Sequence, residues 1–411
     1  MKTSRTSWII WESNNMNLEE RLGSFLDETF EYNDLPGLAV GVYCSGTSLV
    51  GVRGYADYVE RVALREDDIF HCASVSKLFT SSAIMRLVEA GVLDLDDRLV
   101  DLLPDLHIAD NRCESIRLRH MLTHTSGIGD CYGYHWDTPL FGEDALENYV
   151  YSDEVCLQPM LWDPGTEFRY SNMAFEILGH IASVYSERMP GGAAASAAHG
   201  RLSYEDVVAR YCMEPAGMNV STMKTFERDG WKSDTTEWVS VPSLAVPHRR
   251  DADRSITRVQ YYPYNREHAP SSTLTASVAD LLKWGRVHLN GSRGVDVGNR
   301  PMTEDSPSKT QRGIFADANL YKTIWQPYAT VPNNGEKIGI GWFIRKQKVT
   351  DAASNSHEFT LYGHEGSDDG FRSSFWICPE LDMVTVVLSN LSDAPVKRIN
   401  KKLFTTIVSA I

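Results

Sequence analysis

The stretch Phe70-His71-Cys72-Ala73-Ser74-Val75-Ser76-Lys77-Leu78-Phe79 opens a long helical pattern that runs from Ser74 to Glu89 and is closed by Gly91. Ser74 and Lys77 stand three residues apart in the first turn, so hydroxyl and amine share one helical face. A serine hydroxyl is a poor nucleophile until a base takes its proton, and a partly desolvated lysine is one base that can. A helix N-terminus also favours developing negative charge and leaves backbone N–H groups free. The spacing alone is a weak signal, because Ser221/Lys224 and Ser306/Lys309 share it. The latter pair encloses Pro307 in a polar loop and the former lies between helices. Placement at the start of a buried helix sets Ser74 apart.

Upstream, Leu18, Leu22, Phe25, Leu26 and Phe30 have helical spacing, and Pro36-Gly37 ends that helix. Leu38–Tyr43 and Ser48–Tyr55 read as a hairpin around Ser45-Gly46-Thr47. At the other end, Ile338–Ile344, Phe359–Gly363, Phe371–Cys378 and Met383–Leu388 read as strands, with Pro379–Asp382 as a turn. Val396–Ile411 follows as a helix with one apolar face. Between them, Ala174–Tyr185 is a helix with Asn172 placed to cap it, and Thr275–His288 is another. Residues 190–200 read as a flexible insertion, residues 293–313 as a loop, and residues 1–16 as a disordered extension. The expected fold class is α+β: an antiparallel sheet completed by both ends of the chain and flanked by helices, with a mostly helical region inserted. The corresponding segments are 17–91, 92–330 and 331–411.

The chain has 411 residues, 42% of them hydrophobic and 23% charged, which suits a folded globular protein. Its formal net charge of -15 argues against a nucleic-acid or anionic-membrane partner, since either wants a basic face. No apolar run approaches the roughly 18 residues of a membrane span. The short run Trp8–Trp11 lacks the length and cleavage site of a secretory signal, and seven scattered cysteines without Cys-x-x-Cys fit reduced thiols. The expected location is therefore the cytoplasm.

Two further clusters carry chemistry. Tyr170-Ser171-Asn172 offers a phenol that can relay a proton and an amide that can hold a substrate carbonyl or the lysine. The competing reading is a core tyrosine and a helix cap. His364-Glu365-Gly366 ends a strand, where a glycine lets substrate approach the edge closely. Ser367 can then offer its N–H to an oxyanion opposite that of Ser74. The competing reading is a plain strand-to-turn junction.

In this order, the three motifs resemble those of the penicillin-binding-protein and β-lactamase superfamily of serine hydrolases, on the side of class C β-lactamases, DD-peptidases, D-aminopeptidases and related esterases. Leu122-Thr-His-Thr-Ser-Gly127, Asp163-Pro-Gly165, Gly339-Ile-Gly-Trp342 and Gly366-Ser-Asp-Asp-Gly-Phe-Arg-Ser373 extend the likeness from residue 20 to the C-terminus. The resemblance implies Ser74 as nucleophile, Lys77 as general base and Tyr170 as proton relay. It implies Asn172 as the group orienting Lys77 and the acyl amide, and the N–H groups of Ser74 and Ser367 as the oxyanion hole. His364, Glu365 and Gly366 would border the substrate. The reaction expected is hydrolysis of an ester, amide or peptide bond in a small-molecule or peptide acyl substrate, without cofactor or metal. His120 and His124 share helical spacing but lack the glutamate of His-Glu-x-x-His.

The third motif departs from Lys-Thr-Gly. An anionic Glu365 would repel a β-lactam carboxylate, so β-lactam hydrolysis is not the expected main activity. The alternatives are an acyltransferase or cyclase using the same acyl-enzyme, or a catalytically silent binding or sensing module. The intact motif triplet argues against the last.

Overall fold

The expected hairpin forms β1 (Gly37–Cys44) and β2 (Thr47–Asp57) in the computed structural model. The structure describes residues 15–199, 201–227, 243–293, 313–332, 334–350 and 354–409. The remaining strands of the main sheet are β3 (Val62–Ala63), β4 (Ala329–Thr330), β5 (Lys337–Ile338), β6 (Phe343–Thr350), β7 (Ser356–Asp368), β8 (Phe371–Cys378) and β9 (Met383–Ser389). Their order across the sheet is β3-β2-β1-β9-β8-β7-β6-β5-β4, antiparallel throughout. Strand β1 pairs with β2 on one side and with β9 on the other, so the two ends of the sequence meet at mid-sheet. All eight residues of β1 are buried, as a central strand covered on both faces requires.

The helices α1 (Asn15–Asn33), α2 (Ser76–Glu89), α3 (Asn172–Tyr185), α4 (Val278–Ser292) and α5 (Val396–Val408) complete the layers. Leu22, Phe25 and Leu26 of α1 and Leu403, Phe404 and Ile407 of α5 cover one sheet face with Val40, Val42 and Trp376. The other face packs on α4 and, beyond it, on α2 and α3, through Phe79, Trp284, Phe375 and Val384. This arrangement is the α+β plan read from the sequence.

Helix α4 lies very close to the sheet. A Cβ on Gly285 would stand 2.5 Å from a Val384 methyl carbon. Gly285→Val therefore forces the helix off β9 and should lower stability by about 2–3 kcal/mol, read as a shifted urea midpoint.

Four local readings change. Ile338–Ile344 is two strands, because Gly339 to Trp342 make a turn in which Gly341 packs on Ser81 of α2 and bonds the Leu122 carbonyl through its N–H (2.8 Å). Residues 192–199 form a short helix with Ala195 buried, where a flexible insertion was expected. The alanine run has high helix propensity, and composition hid it. Thr275–Ala276 is a strand paired with Phe70–His71, and α4 begins only after Ser277, whose side chain accepts from Asp280 N–H. Finally, Ser171 rather than Asn172 caps α3, its Oγ accepting from Ala174 N–H at 3.0 Å. The readings of residues 1–14 and most of 293–313 lie outside the described residues. All seven cysteines are free, and none of the described helices is long and apolar enough to cross a membrane.

Candidate active site

Ser74 sits in a single tight turn, Ala73–Val75, that leads into α2. Ala73 has φ +48°, a left-handed conformation costly for a residue with a Cβ. The turn is held from several directions. Cys72 N–H bonds the Leu274 carbonyl (2.7 Å), and Ser76 Oγ donates to the Ala73 carbonyl (2.7 Å) while accepting from Leu274 N–H (2.9 Å). Ser373 Oγ, from β8, donates to the Cys72 carbonyl (2.7 Å). The surroundings thus over-determine a strained backbone and present the Ser74 side chain half-exposed between buried neighbours. Cys72 itself is buried, and burial pushes its thiol up, so it is an inert neighbour.

Lys77 is fully buried. Its Nζ donates to Ser74 Oγ at 3.0 Å and to the Ser271 carbonyl at 2.8 Å. It lies 5.0 Å from the ring centre of Tyr170 and 5.7 Å from that of Phe175. Tyr170 is half-exposed and stacks on His124, ring centres 4.3 Å apart. His124 is itself held at φ +54°, and its Nδ1 accepts from Ser171 N–H at 3.2 Å. Burial, and then the Lys77 charge, push its pKa well down, so a neutral imidazole supports the phenol.

Asn172 takes a different part from the expected one. Its Nδ2 faces Asp130, 3.0 and 3.2 Å from the two carboxylate oxygens, and its backbone N–H bonds the same carboxylate at 2.8 Å. The amide is oriented by Asp130, while Lys77 bonds Ser74 and Ser271. Asn172 Oδ1 is buried with no partner among the described residues, so the uncommitted end of this side chain is an acceptor.

Side chains alternate along β7, which separates the third cluster. His364 is buried on the Lys77 side, its ring centre 6.2 Å from that of Tyr170. Its Nδ1 is 2.6 Å from the Glu365 carbonyl, so Nδ1 carries the proton. Burial, and then the Lys77 charge, push its pKa down to about 3, and the ring is neutral at working pH. Glu365 points to the opposite face, where it accepts from Trp376 Nε1 (2.8 Å) and faces Arg345 at 3.4 Å. It does not border the substrate as expected, and the carboxylate-repulsion argument falls with it. What remains is that a neutral His364, with no cation of its own, stands in that position.

Gly366 returns to the His364 side and packs flat on the nucleophile turn. A Cβ there would stand 2.2 Å from the Cys72 carbonyl oxygen. Strand β7 thereby lies against the Ala73–Val75 turn, with Ser367 next along it. Ser367 also lines a cavity of about 490 Å³ with Tyr134, Trp136, Asp137, Tyr261 and Asp369, into which Arg372 also reaches. Tyr134 and Trp136 stack at 4.6 Å, and Tyr261 OH donates to Asp369 (2.5 Å). Arg372 Nη1 is engaged by the carbonyls of Asp368 and Phe371.

The β-lactamase family profile matches residues 25–406. The chain belongs to the β-lactamase family. Penicillin-binding protein 4 of Amycolatopsis lactamdurans is 24% identical over 359 residues, 87% of this chain and 81% of that one. Among solved structures, the octameric penicillin-binding protein homologue from Pyrococcus abyssi superposes with a TM-score of 0.71 at 22% identity, over 95% of this chain and 77% of that one. D-amino acid amidase from Ochrobactrum anthropi SV3 does so with a TM-score of 0.68 at 17% identity, over 96% and 100% of the two chains. The fold is thus that of the β-lactamase and penicillin-binding-protein hydrolases.

Three members of this β-lactamase-family site have roles that the sequence does not report. Ser271 contributes through its backbone carbonyl, which no side-chain pattern reports. Asp130 is a lone loop aspartate. His124 lies inside the quoted Leu122–Gly127 motif, but its role under Tyr170 emerges only from packing. Among the described residues no three His, Cys, Asp or Glu side chains converge as metal ligands.

Proposed function

We propose that the chain is a serine hydrolase that cleaves ester or amide bonds through an acyl-enzyme on Ser74. The observation that carries this is the buried Lys77 amine 3.0 Å from Ser74 Oγ. The Lys77 amine takes the Oγ proton as Oγ attacks the acyl carbon. The tetrahedral oxyanion lies between the N–H groups of Ser74 and Ser367, and Tyr170 passes a proton to the leaving group. Water then releases the acyl group. Kinship with a penicillin-binding protein and fold likeness to a D-amino acid amidase support this reaction class. Seven free thiols fit a reducing compartment.

The substrate side of the reading rests on the cavity. Asp137, Asp369, Tyr134 and Trp136 offer carboxylates and aromatic faces, which suit a cationic or N–H-bearing group beside the scissile bond. The acceptor end of Asn172 fits the same chemistry, and a neutral His364 gives a β-lactam carboxylate no counter-charge. Amides and esters with a nearby amine should therefore exceed their N-acetylated counterparts in kcat/KM. In the Asp137→Asn/Asp369→Asn double variant that preference should fall by about three- to tenfold. A preference that both substitutions leave unchanged refutes the assignment. Mass spectrometry after fluorophosphonate treatment tests the acyl-enzyme itself: an adduct on Ser74 is expected, and one elsewhere overturns the mechanism.

A further inference from the structure

Behind Lys77 lies a chain of buried polar groups that the reaction scheme leaves unused. Glu176, one helical turn beyond Asn172 in α3, is fully buried. Its Oε1 accepts from Ser271 Oγ and lies 3.3 Å from His268 Nδ1. His268 Nε2 lies 3.3 Å from Glu267 Oε1. The imidazole is caged by the rings of Tyr134, Trp136 and Tyr149 at 5.0, 6.1 and 4.9 Å. Ser271 is thus held at both ends: its hydroxyl by Glu176, its carbonyl by Lys77.

We propose that Glu176 and His268 are positioning residues for Lys77, a buried ion pair that fixes the Ser271 carbonyl and sets the charge the amine meets. The proposal rests on the reading of Ser74 and Lys77 as nucleophile and base. Stability gives no reason for the pair, since a buried ion pair often stabilises no better than apolar side chains of the same volume. Its geometry gives one, because each member leads to the residue that accepts from Lys77.

The other titratable groups facing the pair are Cys131, Tyr134, Tyr149 and Tyr204, all pushed up by burial and so neutral at working pH. Burial raises Glu176 as well, and the hydrogen bond and charge of His268, then the Ser271 hydroxyl and Lys77, pull it back toward the ionised form. Burial lowers His268, but the bond to Glu176 and the nearby carboxylates of Glu176 and Glu267 outweigh it and raise it to about 9, so the imidazole is cationic at neutral pH. It then cancels one of the two carboxylates. Without it, Glu176 loses its chief counter-charge, burial drives the carboxyl toward its neutral form, and its hold on the Ser271 hydroxyl weakens until higher pH restores the carboxylate.

The test is the rate of fluorophosphonate labelling of Ser74 as a function of pH. His268→Gln should move the ascending limb up by about one pH unit and slow labelling at neutral pH about tenfold. Adding Glu176→Gln supplies the Ser271 hydroxyl with a neutral amide acceptor that needs no counter-charge, and should bring the limb back to its wild-type place. An unmoved limb in His268→Gln overturns the proposal, and so does a double variant that stays shifted, since disruption of packing would not be repaired by a second substitution. If His268→Gln loses its cooperative melt, Ser271→Ala decides. It keeps the carbonyl, loses the hydroxyl link, and should label about three- to tenfold more slowly; a wild-type rate overturns the proposal. A wild-type chain with no adduct on Ser74 overturns the underlying mechanism and this proposal with it. A labelled wild type with unmoved variants overturns this proposal alone.

Discussion

Ser74→Ala should remove activity toward activated esters and amides by on the order of 10⁴-fold or more, while leaving the melting temperature close to that of the parent chain. Only the Oγ is lost, and the turn around it is held by bonds that the substitution does not touch. Those bonds run from Cys72, Ser76 and Ser373. The residual rate would report what the backbone N–H groups contribute alone, since an oxyanion site still stabilises attack by water. Initial rates together with intact-mass spectra check this. A variant that still accumulates an acyl adduct places the nucleophile elsewhere.

Lys77→Met should lower kcat/KM by about 10²- to 10⁴-fold, the usual contribution of a positioned base. Methionine keeps most of the apolar stem packed under Tyr170 and Phe175, so the loss falls on chemistry rather than folding. It does leave the Ser271 carbonyl without its donor, at a cost of about 1–3 kcal/mol in stability. Lys77→Arg separates charge from basicity. A guanidinium keeps the positive charge yet does not give up its proton, so recovery of activity in that variant would contradict a base role. Stopped-flow acylation and thermal melts distinguish these outcomes.

Periodicity in the sequence reported the parts of this fold that depend on one face being apolar. The strand Phe371–Cys378 was readable residue for residue, and β1, β2 and α5 nearly so. Errors arose where tertiary packing overrode local pattern. Gly339–Trp342 reads as strand because it continues an apolar run, yet packing on α2 and the bond to Leu122 bend it into a turn. Ser74, Lys77, Tyr170 and His364 were legible as a group because each lies in a short motif with fixed spacing. Glu365 was misassigned by the same motif, since linear adjacency says nothing about which face of a pleated strand a side chain takes. Asn172 was assigned as a cap when its neighbour Ser171 does that work, because both residue types fit the position. Glu176 sits in an apolar run and His268, 92 residues later, follows Arg266-Glu267, so neither spacing nor motif links them in the sequence.

The joining of the first and last strands at the centre of the sheet has a consequence for timing. The Cys72 carbonyl is secured by Ser373, 301 residues later, and β1 pairs with β9 at residues 383–389. A chain emerging from the ribosome therefore displays Ser74 and Lys77 long before it holds the strand that flanks them or the partner that seals the sheet. Contacts this distant form late. Newly made chains should stay inert toward acyl donors until residues 371–389 have been made and docked, and a truncation that removes β8 and β9 should release a nucleophile motif with no acylating power.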